Sequence, residues 1–339
     1  MTDHNGVRTR AWHDGKVVSE GFALGELSDY LAREDRLVWV DLCSPDHDHL
    51  QELAAELSFD RNAVEDAISE GERPKATRYA HHTFVSVYAT QIADSADDES
   101  TDMLESRVRK TRVSAFVFPR GMVTVRSNDL FDMDEVITRW ESDSDMLALG
   151  VGALVHGLLD VIVDGHFDTI GVMDDAIESL EDSLFDDSTR TKALQQYTYR
   201  VRKELVELRR VILPMREVVN GVMRERQEIN PRGNALDGDY ADLYDHIMRA
   251  TEWTESLRDM VGAIFETNLS LQDIRMNIVM KQLTGWAAII AVPTAVTGWF
   301  GQNVAYPGFG DTGGLVSSTV VIIGSAGGLY VLFKKRGWL

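Results

Sequence analysis

Hydrophobic and polar positions change their rhythm along the chain. In the first 145 residues, short strand-like runs alternate with helix-like ones. RLVWVDL (36–42) is a β-branched and aromatic run, and HTFVSVYAT (82–90) alternates as a strand does. RVRKTRVSAFVFPRGMVTVRS (107–127) reads as two strands around PRG, a hairpin signal. SPDHDHLQELAAEL (44–57) reads as a helix, with Ser44 as N-cap, Pro45 at the first helical position and acids in the first turn. Residues 1–145 are therefore expected to form an α/β domain with a mixed sheet.

From 146 to 230 the apolar positions fall at steps of three and four, which predicts an antiparallel pair of long helices. A break is expected near Asp186–Ser188 and a local kink at Pro214. NPRGNALDGD (230–239) is loop chemistry. After it Leu243, Ile247, Ala250, Leu257, Val261, Ile264 and Leu271 repeat with a coiled-coil-like period, with gaps at Thr254 and Asn268. No proline interrupts before Pro293, so one stalk helix is expected over 237–301. At ~1.5 Å per residue it is roughly 100 Å long. A helix of that length needs neighbours on more than one side, which favours an oligomer around a central axis.

The last region is apolar. From Gln282 to Phe333, 52 residues carry one charge, Asp311. YPGFGDTGG divides the region into Leu283–Phe300, of 18 residues, and Leu315–Phe333, of 19. Each half can span a hydrocarbon core of about 30 Å. Soluble core helices rarely run this far without a charge, so two membrane spans are expected, joined by a loop over 302–314 and followed by a basic tail over 334–339. Arg275 and Lys281 precede the first span, Lys334, Lys335 and Arg336 follow the second, and the loop between has no positive charge. The positive-inside rule then places both termini in the cytoplasm of a multi-pass protein of the plasma (inner) membrane, with the loop outside.

The net charge of −21 argues against a nucleic-acid partner and suits a protein that handles cations. The single cysteine, Cys43, rules out an intrachain disulfide. Neither GxxxxGK[ST], GxSxG, HExxH nor a paired-cysteine motif occurs, so no enzymatic chemistry and no organic cofactor are expected. HDH (47–49) and HH (81–82) lack zinc-ligand spacing and read as surface histidines.

Asn277, Met280, Thr284, Ala287, Ala291, Thr294 and Gly298 fall three or four apart and form a narrow stripe of mostly polar or small side chains. Spacing alone does not separate a helix-packing face from a pore lining. Convergence of the stripe on Gly298, Gly301, Gln302 and Asn303 favours the lining. Two amides inside hydrocarbon would be costly, whereas at the mouth of a pore they face water. Pro293 frees the carbonyl of Ile289, which is tolerated at that depth only where protein or water receives it.

LYDH (243–246), LSLQDIRMNIVMKQLT (269–284), the proline-containing span, a G-x-N, a second span and the terminal KKRGWL together resemble the CorA family of divalent-cation channels. VWVDLCSP and RPKATRY extend the resemblance more loosely into the first half. The family's Gly-Met-Asn appears as Gly301-Gln302-Asn303, departing at its middle position. The resemblance implies a homopentameric funnel: α/β cytoplasmic domains, long-helix stalks, five copies of the first span around one pore and the second span facing lipid. It implies that Asn303 forms the outer selectivity ring with Gly301 supporting it, and that Ala291, Thr294 and Gly298 line the pore. It further implies an apolar constriction at Met280 and Leu283, and a polar ring at Asn277. Ala291 is smaller than the family's usual methionine, which leaves the narrowness of that ring open.

The implied cargo is Mg2+, with Co2+ or Ni2+ as variants, taken up passively and also acting as regulator. Asp242 matches a position where intracellular Mg2+ bridges subunits, with Asp94, Asp97 or Asp98 as candidate partners. For Asp94–Asp98 a solvated surface acid is the simpler reading. The alternatives are the same fold moving Zn2+ or another transition metal, perhaps outward, and a membrane-tethered cytoplasmic enzyme or metal sensor. Gln302 removes a soft thioether, which argues mildly against a soft-metal preference.

Overall fold

The computed structural model describes residues 6–69, 71–93, 105–184, 191–303 and 305–339. The chain divides into two compact units, Met1–Ala263 and Ile264–Leu339.

In the first unit the chain runs β1 (Val7–His13), β2 (Lys16–Glu20), α1 (Leu27–Ala32), β3 (Leu37–Cys43), α2 (His47–Glu56), α3 (Arg61–Ile68) and β4 (Lys75–Arg78). It continues through β5 (Thr83–Ile92), β6 (Val108–Phe118), β7 (Gly121–Arg126), α4 (Met133–Ser142), α5 (Ser144–Leu147), α6 (Val151–Leu184) and α7 (Thr191–Ile229). The seven strands form one sheet in the order β2-β1-β3-β7-β6-β5-β4. Only β3 and β7 pair in parallel, with Val38 opposite Gly121 and Cys43 opposite Arg126; the other pairings are antiparallel.

Strand alternation assigns each side chain to a layer. Val38, Val40 and Leu42 join Phe84, Phe116, Val123 and Val125 in one core, which takes Leu27, Leu50, Leu53, Ala63, Val64 and Ala67 from α1, α2 and α3. Trp39, Val85, Val87, Val113, Ala115 and Met122 face the other way, onto Val136, Trp140, Leu154, Leu158, Met215 and Val219 of α4, α6 and α7. The unit is thus a sheet between two helical layers. Asp41 points into the second layer fully buried, and its carboxylate is held by Arg126 Nη2 at 2.7 Å and by the Thr124 hydroxyl at 2.7 Å. A buried carboxylate is tolerable only with such partners.

Two local expectations fail. Ser44 does not cap α2: its φ is +48°, its hydroxyl donates to the Ser127 carbonyl at 3.0 Å, and the helix opens only at His47, with Leu50 N–H bonding Asp46 O. Ser44 is used to tie the end of β3 to the end of β7 instead. His82 is not a surface residue. It is 4% exposed, stacked on Tyr79 and ringed by Phe59, Phe116 and Phe118. Burial holds its pKa below the ordinary range, and among the described residues neither ring nitrogen has a hydrogen-bond partner.

α6 and α7 are long and continuous, α7 running through Pro214. The expected break at Asp186–Ser188 lies outside the described residues. The base of the β5–β6 connection is fixed to α7 by Arg107, whose backbone N–H and guanidinium bond the fully buried Glu204 at 2.9–3.3 Å. α8 (Leu236–Phe300) starts in this unit, where Tyr240 donates to Gly152 O at 2.9 Å beneath the guanidinium of Arg226. The stalk seam is buried at Leu243, Ile247, Ala250, Leu257 and Val261. Its apparent gap at Thr254 is buried too, with the hydroxyl folded back onto Ala250 O at 2.7 Å.

The second unit holds the rest of α8 and α9 (Thr312–Lys335). Both helices are apolar and long enough to cross a membrane.

His166 gives a test of the first unit. It is fully enclosed, its Nε2–H donating to Tyr88 O at 2.8 Å, and burial pushes its pKa down to about 4. Between the ordinary value of 6.5 and about 4 the unfolded chain binds a proton that the folded chain refuses. Stability therefore falls as pH drops through that window, by up to about 3 kcal/mol from this residue. His166→Asn, whose amide can still donate to Tyr88, is expected to flatten the acid limb of thermal unfolding against pH. Identical limbs would remove His166 from the acid response.

Candidate functional site

The part of α8 within 277–300 presents different residues on opposite sides. Gly285 is buried, and Ile289, Val292, Val296 and Phe300 are half-buried. Asn277, Met280, Leu283, Thr284, Ala287, Ala291, Thr294 and Gly298 are all exposed. At about 100° per residue the two sets are centred roughly 160° apart. The covered side meets the last part of the chain: a Cβ at Gly285 would stand 3.5 Å from Leu339 and 3.7 Å from Phe333, and Trp286 lies 6.4 Å from Tyr330. α9 answers with a half-buried face of its own, Ser318, Ile322, Ser325, Leu329 and Phe333. The small and polar stripe is thus the side of α8 that α9 leaves uncovered.

The helix is continuous through Pro293. Two threonines bond back onto it: Thr294 donates to Ile290 O at 3.0 Å and Thr297 to Pro293 O at 2.9 Å. Such back-bonding uses the hydroxyl proton. The lone pairs of Thr294 are then what the stripe presents, so this position is an acceptor.

α8 ends at Phe300 in a tightened turn, Gly301 N–H reaching Thr297 O at 2.8 Å and Gln302 N–H reaching Trp299 O at 3.3 Å. Gly301, Gln302 and Asn303 are exposed beyond it. A Cβ on Gly301 would sit 2.9 Å from Thr297 O, so the turn requires glycine there, whereas one on Gly298 would meet nothing.

In the first unit Asp242 is exposed on α8, 3.5 Å from Nε2 of His246 one turn on. His246 in turn groups with Asp160 and Asp164 of α6, each offering a ligand atom within 4.8 Å of the others. Arg139 of α4 bonds both carboxylates, Asp160 through Nη1 and Asp164 through Nη2 at 2.8 Å. Burial pushes the Asp160 carboxyl up, against the pull of Arg139. Asp160, Asp164 and His246 were missed in the sequence. The available signal was a pair of four-residue steps, Asp160 to Asp164 and Asp242 to His246, which put both residues of each pair on one helix face. Asp94, Asp97 and Asp98 lie outside the described residues.

A family model described as CorA-like Mg2+ transporter protein matches residues 34–335. The cobalt/magnesium transport protein CorA of Thermotoga maritima is 26% identical over 277 residues, covering 81% of this chain and 76% of that protein. Its namesake in Methanocaldococcus jannaschii is 22% identical over 329 residues, covering 95% and 98%. The complete structure of the CorA magnesium transporter from the same archaeon superposes with a TM-score of 0.76 over 98% of each chain, at 20% identity.

Gly301→Ala is expected to strain the end of α8 and lower the thermal midpoint of the detergent-solubilised protein, costing about 1–2 kcal/mol. Gly298→Ala is expected to leave it unchanged. Equal midpoints for the two variants would show that the turn tolerates a side chain at 301.

Proposed function

Because this chain belongs to the family of CorA-like Mg2+ transporter proteins, we propose that it is a passive channel for hydrated divalent cations, Mg2+ first, across the plasma membrane. It is an ion transporter and not an enzyme. The observation that carries the proposal is the uncovered stripe of α8, which ends at Gly301-Gln302-Asn303. Five copies around an axis bring five stripes together, with α9 on the outside toward lipid. The pathway then runs from a polar ring at Asn277 through an apolar constriction at Met280 and Leu283. It continues past Thr284, Ala287, Ala291, Thr294 and Gly298 to the Asn303 ring.

The side chains suit such a cargo. Mg2+ gives up water reluctantly and keeps several waters when bound. The outer protons of those waters need acceptors. Amide oxygens of Asn303 and the lone pairs of Thr294 supply them without the charge that would hold the ion too long. With both termini in the cytoplasm, the inside-negative potential contributes about 4.6 kcal/mol per 100 mV to a doubly charged ion moving inward.

Gating rests on Asp242. It stands beside His246, which groups with Asp160 and Asp164, where Arg139 balances only part of the negative charge. A divalent cation bound at Asp242 and a carboxylate of the neighbouring subunit, such as Asp94, would quench like-charge repulsion between subunits and hold the pore closed. A second reading is supported by His246: an imidazole beside carboxylates suits Co2+, Ni2+ or Zn2+ better than Mg2+, so a transition metal is the alternative cargo or regulator.

Uptake into proteoliposomes of Mg2+, Co2+, Ni2+ and Zn2+ by wild type and Asn303→Ala tests this reading. Wild type is expected to carry Mg2+, and the variant to lose at least tenfold in rate or discrimination, a change of about 1.4 kcal/mol. Absence of transport of every ion, or an Asn303→Ala indistinguishable from wild type, sinks the channel reading. Asp242→Lys is expected to raise the Mg2+ concentration that closes the pore by about tenfold. Unaltered closure would take Asp242 out of gating.

A further inference from the structure

The last carbonyls of a helix have no partner within it. At the end of α8 one is claimed by the loop that follows: the Tyr306 hydroxyl donates to Phe300 O at 3.0 Å. The ring of Tyr306 also stands edge-on to Phe300, with centroids 5.3 Å apart at 83°. On its other side it meets Phe309 with the same spacing and angle, and Phe309 N–H bonds Tyr306 O at 2.9 Å. The loop is fixed in turn to α9. Asp311 N–H bonds Gly308 O at 3.2 Å, Gly314 N–H bonds Asp311 O at 3.1 Å, and a Cβ on Gly314 would lie 2.4 Å from Gly308 O.

Gly301, Gln302 and Asn303 therefore leave a helix end that is clasped from beyond them. Beyond the 2.8 Å bond from Gly301 N–H to Thr297 O, their own restraint is slight. Gly301 has no side chain, Gln302 N–H makes a long 3.3 Å bond, and all three residues are exposed. A ring that discriminates ions by accepting hydrogen bonds from their waters depends on placing its oxygens within about half an ångström. Contacts that fix the helix end therefore decide how well the ring discriminates.

We propose that Tyr306 is a positioning residue for the Gly301-Gln302-Asn303 segment. Its clasp on the Phe300 carbonyl sets where the Asn303 amide stands, and with it the selectivity among hydrated divalent cations. The proposal rests on the reading of Asn303 as the selecting residue.

Tyr306→Phe keeps both ring contacts and removes only the hydroxyl. Mg2+ and Ca2+ uptake into proteoliposomes is compared for wild type, Tyr306→Phe, Asn303→Ala and the double variant, with thermal midpoint and oligomer size as controls. Tyr306→Phe is expected to match wild type in the controls and to lower the Mg2+/Ca2+ ratio about fivefold, the effect of one hydrogen bond. In the Asn303→Ala background the same change is expected to leave the ratio where Asn303→Ala put it, since Tyr306 acts through Asn303. A merely structural role would slow both ions alike and leave the ratio intact. If Asn303→Ala alters the ratio while Tyr306→Phe does not, or if the two effects multiply, the clasp is overturned and the ring stands. If Asn303→Ala leaves the ratio unchanged, the ring reading falls and the clasp falls with it.

Discussion

A backbone that crosses hydrocarbon must satisfy its own amides and carbonyls, and in this chain a single helix, α8, meets that condition through the whole of the first apolar stretch. Most of what is unusual in the second unit follows from it. Pro293 removes one ladder bond, and the threonines that follow it bond back to the helix. A side chain that spends its proton on the backbone can only accept from whatever passes it. The same condition explains the glycine at 301, where the helix turns tightly against Thr297 O, and the tyrosine that completes its end.

Charge is divided between the units to match. The second unit has few charges, three acids against five Lys and Arg, so the whole of the acidic surplus lies in the first. There the buried acids are committed to arginines: Asp41 to Arg126 and Glu204 to Arg107. Acids at the surface are paired too, Asp134 with Arg8 and Glu141 with Arg10, while Asp242 stands 3.5 Å from Nε2 of His246. Burial thus separates the carboxylates that build the fold from those that stay at the surface. Asp160 and Asp164 lie between the two classes, joined to Arg139 and close to His246.

The sequence made legible what depends on period and punctuation. The β-branched run at 36–42 is β3, the PRG hairpin is the β6–β7 turn, and the stretch with a single charge falls on two membrane-length helices. What it concealed depends on distant partners. Ser44 looked like a helix cap but is taken by Ser127, 83 positions away. His82 looked like a surface residue because the aromatic rings that bury it come from residues spread between 59 and 118. Asp160, Asp164 and His246 come together only once α6 and α8 are side by side. Tyr306 gave no signal at all, since a lone tyrosine beside a proline in a loop specifies nothing until the helix end it serves is located.

The central claim is that the side of α8 left uncovered by α9 lines the route of the ion. Single cysteines placed along α8 in a Cys43→Ser background, tested with a charged thiol reagent during uptake, address it most directly. Block is predicted at Thr284→Cys, Ala287→Cys, Ala291→Cys, Thr294→Cys and Gly298→Cys, with none at Ile289→Cys, Val292→Cys and Val296→Cys. Block at the second set, or the same response at every position, would contradict the account.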